Sequence, residues 1–350
     1  MIAPSNSSAS FRTMRRIDCH VHLVGDGSSG SDCFIQLDTL FRRIQARVVL
    51  LEAGVAPKLL GRGLDVAYAE TIRKQIVESS LDAAVLLAQD LPHDDFGKPL
   101  PKKAGFYASN EYLFQVVAES PDVFIPAISI HPGRPDAMDE LEKCIELGAR
   151  VLKLLPNCLN VDCSAEKYRP FWERVAEAGI VFLSHTGGEH TLPVLRAEFA
   201  DPRNLTLPLE CGVTVIAAHC AGRSGVRDPD YTDDLITMFD EYPRLFGDNS
   251  AFSSLNRART AKRILRANVM DRIIHGSDFP VPILGIGPFG VGLISRADYA
   301  AGRKIRNPFE RDCLLKKAMG FDAATFTRMD EILDMAQNES TGCVRRKDSI

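Results

Sequence analysis

Apolar residues along the chain recur in short bursts rich in β-forming residues, each followed by a stretch with helical spacing. Eight bursts stand out: IDCHVHL at 17–23, LDAAVLLAQD at 81–90, VFIPAISIHP at 123–132, ARVLKLLP at 149–156, IVFLSH at 180–185, VTVIAAH at 213–219, RLFGDNS at 244–250 and RIIHGSD at 272–278. Between them, NEYLFQVVAESP, MDELEKCIELG and YRPFWERVAEAG carry helical patterns. Gly148 and Gly179 stand where a helix would be capped and the chain released into a strand. This alternation predicts an α/β fold, a closed (β/α)8 barrel of the TIM type, as one domain over residues 17–336. An open doubly wound sheet shares the alternation but calls for a glycine-rich phosphate loop after its first strand, where this chain carries histidines.

Two regions exceed the minimal barrel. Residues 24–80 form a long excursion after the first strand, from the turn-rich GDGSSGSD into the helix-like AYAETIRKQIVESS. Insertions after a barrel strand lie at the catalytic mouth, so this one is expected to be a helical insertion serving as lid or interface. Towards the end, a Gly-rich PILGIGPFGVGLIS precedes a turn at RNPFE and a helical DCLLKKAMG. Residues 1–16 are expected to be a disordered leader and 337–350 a flexible tail.

The composition narrows the partners. With 45% hydrophobic and 25% charged residues in 350, the chain is long enough to bury a sizeable core. A net charge of -4 and a pI near 6.1, without a dense basic run, argue against nucleic acid or a membrane surface and for a small-molecule substrate. The 9 cysteines are scattered without CxxC pairs and read as reduced thiols, which, with no apolar run of spanning length, points to the cytoplasm. The apolar part of the excursion offers a surface for a homo-oligomer.

The candidate chemistry sits at strand ends. His20, His22, His131, His185, His219 and Asp278 all fall at the C-terminal ends of expected strands, where a barrel builds its active face. Strict alternation puts Asp18, His20 and His22 on the inner face, and Ile17, Cys19 and Val21 towards the helices. The same parity pairs Leu183 with His185, Ala217 with His219 and Gly276 with Asp278 inside, and turns His275 outwards. Converging imidazoles with one carboxylate suit a divalent metal ion, zinc first and then manganese, iron or cobalt. The alternative is that each histidine is a hydrogen-bonded core residue. Lys153 also faces inwards on the expected fourth strand, where a buried ammonium needs a partner: a substrate carboxylate or a salt bridge, unless it turns out to solvent. Asp18 is either an orienting acceptor for a ligand imidazole or an ordinary strand-start residue. His131, His190 and Arg223 lie near the mouth as substrate-binding candidates, with plain loop or surface roles as the alternative. Cys19 and Cys220 are not assigned as nucleophiles.

DCHVHL, FLSHTGG, IAAHCAG, GDNSA and HGSDFPVP, in this order, resemble the amidohydrolase superfamily, specifically its amidohydrolase-2 branch, across residues 17–282. Asn110 before a helix and SPDVF fit the same likeness. The resemblance implies that His20, His22 and His185 bind the metal and that Asp278 is a further ligand and proton shuttle. It implies that His219 binds a second ion or acts on the substrate, and that Lys153, if carboxylated, bridges two ions. The branch contains hydrolases of amides, esters and lactones and non-oxidative decarboxylases of unsaturated or aromatic acids. The leading expectation is a hydrolase that uses a metal-activated water, with Asp278 moving the proton and His219 stabilising the oxyanion. Decarboxylation is the alternative, and a catalytically inactive metal-binding barrel is the alternative of another class.

Overall fold

Ten strands form in the computed structural model, which describes residues 13–347, with side chains to residue 338. They are β1 (Ile17–His22), β2 (Phe34–Ile35), β3 (Ala83–Leu87), β4 (Phe106–Tyr107), β5 (Phe124–Ile128), β6 (Val151–Leu154), β7 (Val181–Ser184), β8 (Val215–Ala217), β9 (Leu245–Asp248) and β10 (Ile273–Ile274). Eight of them make one sheet in the order β1-β3-β5-β6-β7-β8-β9-β10, every pair parallel. Backbone hydrogen bonds bring the two ends together: Cys19 N–H to His275 O (2.9 Å), Asp278 N–H to His20 O (2.9 Å) and His22 N–H to Phe279 O (2.8 Å). The result is the expected TIM barrel, and each burst read from the sequence supplies one of its strands.

The connections follow the same logic. Helices Asn110–Glu119, Ala137–Glu146 and Arg169–Glu177 separate successive strands. Ser109 caps the first, accepting from Tyr112 N–H. The other two end at Gly148 and Gly179, whose φ of 88° and 64° are left-handed values that a side chain would resist.

Strict alternation fails at β1. Ile17 and Cys19 pack inside the barrel with Val85, Val151, Leu183 and Ile216, whereas Val21 and Leu23 pack among the helices. The pairing of β1 with β3 slips between Asp18 and Val21, so the parity before the slip is opposite to the one expected. Asp18 lies near His275, 3.9 Å away, and accepts from the backbone N–H of His20 and Ser277. In β8 likewise, Ile216 and Ala218 face inwards and Ala217 outwards, the reverse of the expected pairing with His219.

Helix Ala323–Lys347 closes the N-terminal end of the barrel, its Met329, Ile332 and Leu333 reaching the interior cluster. It runs helical through 337–347, where a flexible tail was expected; 348–350 lie outside the described residues. Of the expected leader, Arg15 is tied to Asp330 and Arg16 to Asp82, and 1–12 lie outside the described residues.

The excursion crosses the opposite end. β2 pairs antiparallel with β4, helix Leu40–Glu52 follows, and helix Leu64–Val77 packs against the barrel. The buried Asp65 carboxylate holds the Gly-rich turn by accepting from Gly27 N–H, Ser29 N–H and the Ser31 hydroxyl. A Cβ at Gly25 would stand 2.7 Å from that carboxylate, so glycine is required there. Among the described residues no helix is long and apolar enough to cross a membrane.

Candidate metal centre

The C-terminal ends of the strands converge on a small polar floor. His20 and His22 come from β1, Lys153 from β6, His185 from the residue after β7, and His219 and Asp278 from the turns after β8 and β10. His219 and Asp278 hold left-handed backbone, φ 58° and 67°, which is uncommon for residues with a side chain and aims them where a regular strand would not. One ligand atom each from His20, His219 and Asp278 lies within 4.8 Å of the others. His22 Nε2 stands 3.4 Å from Asp278 Oδ1, and the rings of His185 and His219 are 5.0 Å apart. The expected ligands His20, His22, His185 and Asp278 therefore lie on one floor, and the trio whose ligand atoms all meet within 4.8 Å brings in His219 and not His22 or His185.

Asp248, at the end of β9, organises this floor and was not picked out from the sequence. It accepts from His20 Nδ1 at 2.8 Å and from His219 backbone N–H at 2.6 Å, and Ser250 Oγ donates to it. Ser250 Oγ in turn lies 2.7 Å from His219 Nδ1. These contacts put the protons of both imidazoles on Nδ1 and leave both Nε2 lone pairs facing the site. The strand-end rule that found His185 would have found Asp248, since GDNS closes the seventh β burst. Arg257, also missed, is buried and donates to Gly222 O (2.8 Å) and Gly188 O (2.6 Å), tying together the loops that carry His185 and His219. No strand-end signal marks it.

The electrostatics suit a cation. Burial, then the neighbouring Lys153 ammonium, pushes the His20 pKa down to about 4 against the pull of Asp248 and Asp278. Burial and then Arg257 hold His185 and His219 well below the usual imidazole value. Burial opposes ionisation of Asp278 and Asp248, yet the imidazoles beside them, with Arg257 for Asp278 and Ser250 for Asp248, keep both below the usual carboxylate range. Burial brings Lys153 down to about 8, and its Nζ lies 3.2 Å from His20 Nε2. Neutral imidazoles facing an ionised carboxylate are ligands in their binding states. His185 Nε2 is buried without a hydrogen-bond partner, beside His20 Nε2 and the Asp278 carboxylate, which stand 3.2 Å apart. A divalent cation would give that orphaned nitrogen a partner, so the residues fit one.

The floor opens into a mostly apolar cavity of about 480 Å³ lined by His20, His22, Lys153, His185, Glu189, His219 and Asp278 together with the excursion. His131, His190 and Arg223 do not line it. His131 is buried against His93, ring centroids 4.6 Å apart, and its Nδ1 accepts from Gly133 N–H. His190 lies 2.9 Å from Asp228, and Arg223 turns to Asp230 at 3.9 Å, both side chains substantially exposed. His275 faces Cys313 and Phe326, as its parity predicts. Cys19 and Cys220 are buried, with thiols held well above their ordinary pKa by burial and then Asp248, which leaves them unsuited to nucleophilic attack.

Residues 17–307 match the amidohydrolase family, most of the chain. The chain belongs to that family. Among curated proteins no sequence matches. Solved structures share the fold at low identity. 2,6-Dihydroxybenzoate decarboxylase from Rhizobium is 13% identical, with 92% of this chain and 99% of that one covered and a TM-score of 0.53. A probable 2-pyrone-4,6-dicarboxylic acid hydrolase from Acinetobacter baumannii, with citric acid bound, is 15% identical over 94% and 100% of the chains, TM-score 0.51. 4-Oxalomesaconate hydratase from Rhodopseudomonas palustris is 15% identical over 95% and 100%, TM-score 0.52. These proteins carry three different chemistries on one barrel, so the reaction of this family member has to be argued from its own residues.

Proposed function

We propose that this amidohydrolase family member is a metal-dependent hydrolase that cleaves an amide, ester or lactone of a small molecule. The observation that carries this reading is the meeting of His20, His219 and Asp278 ligand atoms within 4.8 Å at the floor of a cavity. These three would hold a divalent ion, zinc or a similar metal, with His22 and His185 beside them. When bound, such an ion polarises a carbonyl and acidifies water, making a nucleophile available near neutral pH.

The remaining work falls to the protein. Asp278, ionised and 3.4 Å from His22 Nε2, is placed to take a proton from the attacking water and return it to the leaving group. His219 has its proton committed to Ser250, so its Nε2 serves as a ligand and the oxyanion donor expected from the sequence is better filled by Lys153. The Lys153 ammonium is buried at the same floor, where charge stabilisation is strong.

Lys153 also supports a second reading. Among the described residues no carboxylate bonds to its Nζ, which instead lies against His20 Nε2, so a substrate carboxylate could take that place before departing as carbon dioxide. One experiment separates the two readings. Metal content is measured for the wild type, His20→Ala and Asp278→Asn, and each is assayed on lactones, esters, amides and carboxylic acids with carbon dioxide recorded in parallel. Hydrolysis requires water-dependent product without carbon dioxide, stoichiometric metal in the wild type, loss of metal in His20→Ala, and a kcat lower by about 10²-fold or more in Asp278→Asn. Carbon dioxide release would replace hydrolysis with decarboxylation, and a wild type without metal would sink both.

A further inference from the structure

One wall of the cavity is built from the excursion. Helix Leu40–Glu52 begins at Thr39, which caps it by accepting from Arg42 N–H, and Arg42 pairs with Asp38 at 2.9 Å. Of its residues only Leu50 is buried, and the chain after it is anchored by Ala53 and Val55 in the core. The preceding turns border the cavity, where Phe41, Ile44, Val48 and Val49 line it together with Phe106 and Val281.

Three of those lining residues are far from covered. Phe41 is 73% exposed, Ile44 52% and Val48 49%, so the wall presents its apolar side chains to water at the entrance to the site. Apolar surface of this kind gains stability when a ligand removes it from water. A contiguous apolar patch running into a site with a few convergent polar groups is the usual construction of a small-molecule pocket. The patch and the catalytic floor share one cavity, which says what covers it: the part of the substrate that does not react.

We propose that the substrate carries a sizeable hydrocarbon portion and that Phe41, Ile44 and Val48 bind it. This rests on the hydrolase reading only for the position of the reacting group at the His20 and Asp278 end. The helix, held by its last turn, acts as the specificity wall. It selects for length and apolarity, and the floor selects for the functional group. An apolar portion reaching this wall contributes in proportion to its area, so binding strengthens roughly three- to fourfold per added methylene, which corresponds to about 0.8 kcal/mol each.

The test uses the metal-loaded, full-length protein and two readouts, with sedimentation of each variant run alongside. The first is calorimetric binding of straight-chain carboxylates from acetate to decanoate, below their micelle concentrations. The second is kcat/KM for the matching esters. Both are repeated with Ile44→Asp and Val48→Asp, exposed helix positions where a charge does not threaten the fold, and with Leu51→Asp. Leu51, 63% exposed, lies on the same helix but not in the cavity. Affinity rising with chain length in the wild type and Leu51→Asp, and flat in the other two, is the expected result. Such a result without turnover of any ester would leave the apolar wall standing and remove ester cleavage from the hydrolase reading. Affinity independent of length overturns the proposal, as does an unchanged slope in Ile44→Asp. So does a helix whose substitutions alter only the sedimenting mass, because the face would then belong to a second copy of the chain.

Discussion

At the scale of single residues, Asp248 does most to decide what the site can be. A carboxylate that accepts from His20 Nδ1, from Ser250 Oγ and from the His219 backbone sets the tautomer of both imidazoles at once. Asp248→Asn keeps the shape but loses the charge that favours Nδ1–H on His20, and metal affinity is expected to fall about 10- to 100-fold with the fold retained. Competition with a chromogenic chelator measures this, and unchanged affinity would show that burial alone orients the rings. Charge burial also predicts the pH response of the metal-free protein. Burial lowers the pKa of His20 to about 4 and of His131 to about 3, and pushes His185, His219 and His275 well below the usual value. The unfolded chain protonates the same rings near pH 6.5, so it binds more protons than the native state between about 6.5 and 4. Each neutral ring therefore removes up to about 1.4 kcal/mol of stability per pH unit on acidification. Asp18, raised to about 7 by burial, acts in the opposite sense, with Asp90 and Asp312 shifted the same way. Urea midpoints should thus fall from pH 7 to pH 5, and fall more steeply in Asp18→Asn; a flat profile in both would contradict the buried neutral histidines.

At the scale of elements, two helices close the two ends of the barrel by different means. Helix Ala323–Lys347 seals the N-terminal end with Met329, Ile332 and Leu333 set into the interior beneath the metal floor. Leu333→Ala leaves a cavity there and should cost about 2–5 kcal/mol, read from chemical denaturation, while metal content stays unchanged because the helix closes the end of the barrel opposite the candidate ligands. Loss of metal would mean that the two ends are coupled. Helix Leu40–Glu52 covers the other end while leaving apolar side chains exposed, as a wall that meets substrate must. The sequence placed the excursion at the mouth, because loop position follows from strand order, but the helix-like stretch it read there, AYAETIRKQIVESS, belongs to the later helix Leu64–Val77. It gave no sign of the cavity, since which side of a surface helix meets a pocket depends on the elements opposite. The last helix was missed in 337–347 for a different reason: QNEST carries little apolar periodicity, so the polar stretch reads as a tail although the backbone continues its hydrogen-bonded turn.

At the scale of the whole molecule, the barrel gathers residues separated by more than two hundred positions, and this is where local reasoning reaches its limit. Strand number, strand order and the location of His20, His22, His185, His219 and Asp278 at strand ends are legible in the chain, because alternating β and α patterns leave few ways to bury the apolar faces. The faces themselves are not. Parity extrapolates only while the backbone stays regular, and the slip between Asp18 and Val21 reverses Ile17 and Cys19, while the left-handed turn at His219 breaks the link to Ala217. His131, His190 and Arg223 have the right residue types near the right end, but one stacks on a histidine and two meet aspartates outside the cavity. The sequence by itself determined the barrel and the placing of candidate ligands at its strand ends, since strand order and strand ends follow from periodicity along the chain. Only the tertiary structure decided which imidazoles share a centre, that Asp248 orients them and that an apolar wall stands over them, because proximity, desolvation and cavity shape arise from contacts between elements.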